Sequence, residues 1–356
     1  MMRIQNEINL ILLCSHLSIN ETMKDQMKLL LSAALDWEKI KKIADNHHLT
    51  PLLYYNLNKI SLEKYLPQDV LEAFKASYFT NIYFNAMAEE EITRILEVVS
   101  RKKLSIVFLK GFALMKTLYL NQGLRMMCDV DILIKEEELL EIKNILTQLD
   151  FSIGAQEALK QEQKYEIEMN FTKQINISQV MMIDVHWKLA YDRPYKLNLP
   201  FLWERTQKIR FNEQELTFLS YEDTFLFLVL HIKKHVRSLT LNFIIDIAEF
   251  LNKYQDRLNW AYISKIAKSN HILVSVYFSL YLADEFLSIK APSEILRFSR
   301  PNFIKRGLIR ILINKCNFLK FSQKKAISVR FLLFDYLFDS FIYFWRVSFW
   351  ERYLHG

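Results

Sequence analysis

The run Cys128-Asp-Val-Asp-Ile-Leu-Ile134 sets two carboxylates two residues apart inside an apolar segment. On a β-strand alternate residues share a face, so Asp129 and Asp131 project together while Cys128, Val130, Ile132 and Ile134 enter the core. Paired carboxylates repel, and a half-buried strand is a costly place to leave them without a counter-charge. A divalent cation resolves the conflict, and Mg²⁺ in particular takes one or two carboxylates plus substrate phosphates. A strand end at which both groups reach water or an arginine would serve equally for this motif alone. Downstream, Met182-Ile-Asp-Val-His-Trp187 places Asp184 on a further strand with His186 on the same face. Three carboxylates from two strands are what a two-metal phosphoryl or nucleotidyl transfer site requires.

Cationic and permissive residues lie between these points. Lys110-Gly111 closes a short apolar strand and opens a helix, where a glycine admits close backbone approach and free N–H groups face an anion. Arg125 offers a bidentate phosphate contact. His231 and His235 have the i, i+4 spacing of a zinc pair, but Ile232 and Lys233 stand where a zinc-protease motif carries its glutamate. With Lys234 and Arg237 beside them, they suit either a packed helix face or an anion contact. His47-His48 reads as a structural helix end. His186 fits a residue behind the metal ligands or a ring packed under Trp187.

The elements that must hold these groups follow from periodicity. Helical stripes run from Thr22 to Leu35, from Trp37 to Ala44 behind an Asp36 cap, from Pro51, and from Gln68 to Ser100 with Glu89, Glu90 and Glu91 on a solvated face. Ser105–Leu109, Met127–Ile134 and Val180–Leu189 read as strands, Tyr165–Lys173 alternates, and Phe112–Leu120 and Glu136–Leu149 read as helices. Helices return after Ser220 and continue to the end. The expectation is an α+β fold, a small mixed sheet clasped by helices. Residues 1–100 form an N-terminal helical region, 101–220 the α+β core and 221–356 a C-terminal helical region.

Composition sets the outer limits. With 356 residues, five glycines and six prolines, the chain has room for two or three packed units and few helix breakers. A net charge of +7 suits anionic ligands without choosing among them. Cys14, Cys128 and Cys316 lack the number and spacing of a disulfide framework, which fits a reducing cytoplasm. The aromatic stretch Val329–Trp350 is interrupted by Asp335, Asp339 and Arg346. A helix on the protein body or on a membrane surface is therefore expected in preference to an integral span. Asp335 and Asp339 would mark its polar face.

Taken together, Leu109-Lys-Gly-Phe-Ala-Leu, Gly123-Leu-Arg125, Asp129-Val-Asp131 and Ile183-Asp-Val-His-Trp187 resemble the uncharacterised nucleotidyltransferase family, within the DNA polymerase β-like superfamily. The resemblance extends to Ala44–Leu53 and to Glu222–Asp246, and covers roughly residues 30–290. It implies a metal-dependent nucleotidyltransferase that moves an NMP from an NTP such as ATP. Asp129 and Asp131 match the paired ligands of Mg²⁺ or Mn²⁺, and Asp184 matches the third carboxylate. Phe112 follows Gly111 where the superfamily has a second small residue, which leaves Lys110 or Arg125 to grip the triphosphate, joined by Lys234 and His235. The acceptor, whether a protein side chain, a small metabolite or an RNA end, is not written in the motifs. The competing reading is a non-catalytic scaffold that keeps the fold and touches a membrane peripherally.

Overall fold

The structure, a computed structural model, describes residues 2–153, 167–176, 179–190, 197–211, 214–315, 318 and 323–336. Two compact units emerge: residues 1–189 with 201–220, and residues 190–200 with 221–356.

The first unit opens with helices α1 (Met2–Leu13), α2 (Glu21–Leu31), α3 (Trp37–Asn46), α4 (Thr50–Lys59) and α5 (Gln68–Arg101). Local chemistry sets their starts. Asn20 and Asp36 cap α2 and α3 by accepting the N–H of Met23 and Lys39 at 2.9 and 3.0 Å, and Pro51 lies in the first turn of α4. A seven-stranded mixed sheet follows, in the order β3-β4-β5-β2-β1-β7-β6. Its strands are β1 (Val107–Phe108), β2 (Val130–Leu133), β3 (Ser152–Ile153), β4 (Glu168–Asn176), β5 (Gln179–His186), β6 (Gln207–Phe211) and β7 (Gln214–Phe218). Helices α6 (Lys110–Leu114) and α7 (Leu139–Gln148) complete the unit. Ile92, Ile95, Leu96 and Val99 of α5 share one core with Ile142, Ile145 and Leu146 of α7 and with Val130, Ile132, Ile183 and Val185 of the sheet. Each fully buried aliphatic here contributes roughly 1.5–3 kcal/mol.

The fold is α+β, with helices flanking a mixed sheet. Several local expectations need correction. The strand expected over Met127–Ile134 is only Val130–Leu133, so Asp129 stands just ahead of it and Cys128 is exposed rather than in the core. The helix expected at Phe112 begins at Lys110 and widens into a π-helical turn over Met115–Tyr119. Glu91 is buried, not solvated, and pairs with Lys173 of β4 at 2.7 Å, while Glu89 pairs with Lys116. The β6–β7 hairpin was not foreseen: Gln207–Phe211 carries little apolar alternation because its residues are mostly half-buried or exposed.

The second unit is helical: α8 (Tyr221–Lys234), α9 (Leu241–Tyr254), α10 (Trp260–Ser269), α11 (Leu273–Leu287), α12 (Ser293–Ser299), α13 (Phe303–Leu312) and α14 (Gln323–Leu332). Helix α11 is buried along most of its length, which explains its nearly continuous apolar sequence. The single helix expected from Val329 onward stops at Leu332. Asp335 does not mark a polar helix face. Its carboxylate accepts the N–H groups of Leu273 and Val274 at 2.9 and 2.8 Å, capping α11. Lys305 Nζ donates to the Phe334 carbonyl at 2.6 Å, so the start of the aromatic segment docks on helices of its own unit. Asp339 and the remainder of that segment, like Cys316, lie outside the described residues.

Candidate active site

The strand register brings the chemistry together. β2 and β5 run parallel with Asp131 opposite Asp184 and Leu133 opposite His186. β4 runs antiparallel to β5 on its other side, with Asn170 opposite Asp184 and Glu168 opposite His186. Because side chains alternate across a sheet, Asp131, Asp184, His186, Asn170 and Glu168 gather on one face. A carboxylate oxygen from Asp131, one from Asp184 and a ring nitrogen of His186 all lie within 4.8 Å of one another.

Asp131 is the electrostatic centre. It is buried, and its Oδ1 accepts from Lys110 Nζ at 2.5 Å and faces His186 Nε2 at 2.9 Å. Burial alone would raise its carboxyl, but the Lys110 and His186 charges and hydrogen bonds outweigh that and hold it well below the usual carboxylate range. His186 Nδ1 faces Glu168 Oε2 at 3.1 Å. With both ring nitrogens turned toward carboxylates, the ring suits the doubly protonated form: burial opposes the charge, yet Asp131 and Glu168 raise its basicity overall. His186 thus bridges Asp131 and Glu168 and orients the Asp131 carboxylate, while one of its ring nitrogens stays within 4.8 Å of the Asp131 and Asp184 oxygens.

The other two aspartates are crowded. Burial and the Asp131 charge push the Asp129 carboxyl up to about 6, against an ordinary 3.8. Asp184 is raised by burial and by Asp131, against the hydrogen bond that Asn170 Nδ2 donates to its Oδ1 at 2.6 Å. Two carboxylates held above their ordinary range beside an anionic third fit a site for a divalent cation. Their oxygen donors are the hard ligands that Mg²⁺ and Mn²⁺ prefer.

Lys110 reaches Asp131 from a left-handed backbone conformation, φ 40°, at the first residue of α6. For a residue with a Cβ this costs on the order of 1–2 kcal/mol, and such strain gathers at functional sites. Gly111 is buried, and a Cβ there would lie 2.9 Å from Arg125 Nη1 and 3.3 Å from Met127 Cγ. The glycine therefore makes room for the guanidinium. Arg125 is itself buried, donates to the Met126 carbonyl at 3.0 Å, and sits near enough to Asp129 to draw its carboxyl downward.

Helix α5 fixes the loop that carries Arg125. Asn81 Nδ2 donates to the Gly123 carbonyl at 2.9 Å, and Asn85 Nδ2 donates to the Gln122 and Arg125 carbonyls at 2.5 and 3.2 Å. A Cβ on Gly123 would lie 2.2 Å from the Tyr78 ring, so the loop also needs glycine for close packing.

Of the residues singled out from sequence, Lys110, Gly111, Arg125, Asp129, Asp131, Asp184 and His186 belong to this one region of the first unit. Lys234 and His235 belong to the second unit. There the His231 and His235 rings lie 4.4 Å apart, with the Phe243 ring 4.6 Å from His231. Among the described residues neither histidine joins a group able to hold a metal ion. His47 closes α3, where burial drives its basicity down to about 4. Sequence reasoning overlooked Glu168 and Asn170, although their i, i+2 spacing before Phe171 was a readable signal. It also passed over Asn81 and Asn85, one helical turn apart on the inner face of α5.

The uncharacterised nucleotidyltransferase family matches residues 33–288, well over half of the chain and inclusive of every residue of this site. No curated protein matches the chain. Among the described residues, no helix is long and apolar enough to cross a membrane.

Proposed function

Because the chain belongs to the uncharacterised nucleotidyltransferase family, we propose that it transfers a nucleoside monophosphate from an NTP to a hydroxyl or phosphate acceptor at the Asp129–Asp131–Asp184 cluster. The observation that carries this reading is the in-register pairing of Asp131 with Asp184 on adjacent parallel strands, with their carboxylates within reach of a shared ion. Asp129, Asp131 and Asp184 would hold Mg²⁺ or Mn²⁺, which when bound supplies positive charge to the phosphoryl oxygens of the transition state. His186 and Lys110 keep Asp131 ionised and aimed. Asn170 fixes the carboxylate of Asp184, leaving its second oxygen to accept a proton from the acceptor hydroxyl. Arg125, seated against Gly111, would meet the triphosphate, and Lys110 would add a second cation.

Incubation with α-phosphate-labelled NTPs, Mg²⁺ or Mn²⁺ and cell extract should yield a labelled acceptor. The label should vanish with EDTA and in Asp184→Asn. Metal-dependent NTP binding with no labelled product under any condition would instead favour a non-catalytic nucleotide-binding protein.

The triphosphate assignment has its own check. Gly111→Val pushes a side chain into the Arg125 guanidinium, and Arg125→Ala removes it. Each should weaken NTP binding about tenfold or more by calorimetry, the scale of a lost charge-assisted hydrogen bond. Unchanged affinity in both variants, with melting temperatures near wild type, would move the triphosphate elsewhere.

A further inference from the structure

Residues 290–326 hold ten lysines and arginines against Glu294 alone, so about a tenth of the chain carries more than the whole net excess of +7. The family match ends at residue 288, just before this segment. Its described residues include α12, α13 and the start of α14.

Helix α13 turns its apolar side outward. Phe303, Ile304, Leu308 and Ile311 are 74%, 58%, 42% and 69% exposed, while Ile309 is fully buried. Positions 304, 308 and 311 follow i, i+4, i+7, so they form one continuous stripe. Phe298 of α12 adds a further exposed ring at 46%. A solvated helix of a globular protein would present the reverse pattern, and contiguous apolar surface of this kind marks an interaction face.

Cations border the stripe. Lys290, Arg297, Arg300, Arg306 and Arg310 line a cavity of about 450 Å³ whose wall includes Tyr281, with Asp284 the sole acid. Among the described residues none of these five side chains forms a salt bridge. By helical angle, Arg306 and Arg310 lie on the flank between the exposed stripe and the buried Ile309. An amphipathic helix lying in a bilayer interface has this arrangement: apolar residues below, guanidinium groups at headgroup level.

We propose that the face formed by Ser293–Ser299 and Phe303–Leu312 docks on an anionic phospholipid surface. Phe298, Phe303, Ile304 and Ile311 enter the boundary between headgroups and acyl chains, and the arginines at the cavity take lipid phosphates. Charge complementarity selects this occupant: a second copy of the chain would bring the same cations against themselves. A nucleic acid would satisfy the arginines but leave the aliphatic stripe in water, since bases stack on aromatic rings rather than on isoleucine and leucine.

The test is co-flotation of the full-length protein with vesicles of phosphatidylcholine, alone or mixed with phosphatidylglycerol. Binding should require phosphatidylglycerol and weaken with salt. Arg300→Gln/Arg310→Gln should lower affinity about thirtyfold, the product of two cations near an anionic surface. Phe303→Ser/Ile304→Ser/Ile311→Ser should abolish flotation without lowering the melting temperature, because these side chains are exposed. Several outcomes overturn the proposal. One is a full-length protein that ignores phosphatidylglycerol vesicles at low salt, whether it is monomeric or a dimer that the apolar triple variant dissociates. Another is flotation unchanged in the triple variant. A third is single-stranded RNA binding that the arginine variant loses and the apolar variant keeps, in the absence of flotation.

Discussion

Asp131→Ala is expected to lower nucleotidyl transfer at least about a hundredfold, a loss of several kcal/mol of transition-state stabilisation. The same change should weaken the fold. Asp131 is buried between Lys110 Nζ and His186 Nε2, and its removal leaves both groups without their shared partner. Breaking a buried pair in this way costs roughly 3–5 kcal/mol. The two effects separate in Asp131→Asn, which retains the volume and can still meet one hydrogen-bond partner. That variant should melt closer to wild type and remain almost inactive. Label transfer near the wild-type rate in Asp131→Asn would remove this residue from the catalytic cluster.

Asp129→Asn should do the opposite to stability while also destroying activity. The folded protein holds the Asp129 carboxyl at about 6, against an ordinary 3.8, through burial and the neighbouring Asp131 charge. Between these values the folded state keeps a proton that the unfolded chain releases, so stability declines as pH rises through the window. Above it, the ionised Asp129 costs up to about 3 kcal/mol. In metal-free buffer Asp129→Asn should therefore be more stable than wild type by roughly 1–3 kcal/mol at pH 8. The advantage should shrink as pH falls through 6 and disappear below 4. Added Mg²⁺ should raise the melting temperature of the wild type more than that of the variant. Parallel melting curves across this pH range would show that Asp129 is not crowded at all.

Much of this arrangement was legible because it rests on short-range periodicity. The alternation of Val130, Ile132 and Ile134 marked a buried strand, and a strand places Asp131 on its polar side. The same rule set Asp184 and His186 together on β5. It could not show that β2 and β5 are neighbours in register, since that pairing depends on the path of the chain between them. Asp129 was assigned to the strand because the apolar run begins at Met127. Its true place, one residue ahead of β2, follows from the loop that α5 holds through Asn81 and Asn85. Those amides look like ordinary polar positions in a helical stripe, because their partners are carbonyls about 40 residues away. Glu91 misled for a related reason: three consecutive glutamates read as a solvated face, whereas its partner Lys173 is 82 residues downstream. The aromatic segment failed differently. Asp335 terminates one element and caps another, a role that helical spacing cannot distinguish from a place on a polar face.

Lys110 answers two demands that pull apart. The left-handed turn at φ 40° asks for a residue without a Cβ, and the buried Asp131 beside it asks for a long cation. Glycine would relax the backbone and strand the carboxylate; arginine would keep the charge and the strain, with a bulkier head than the gap was shaped for. Neither exchange meets both demands. The strain costs on the order of 1–2 kcal/mol and breaking the buried Lys110–Asp131 pair roughly 3–5 kcal/mol, so selection for stability alone already keeps lysine at this position.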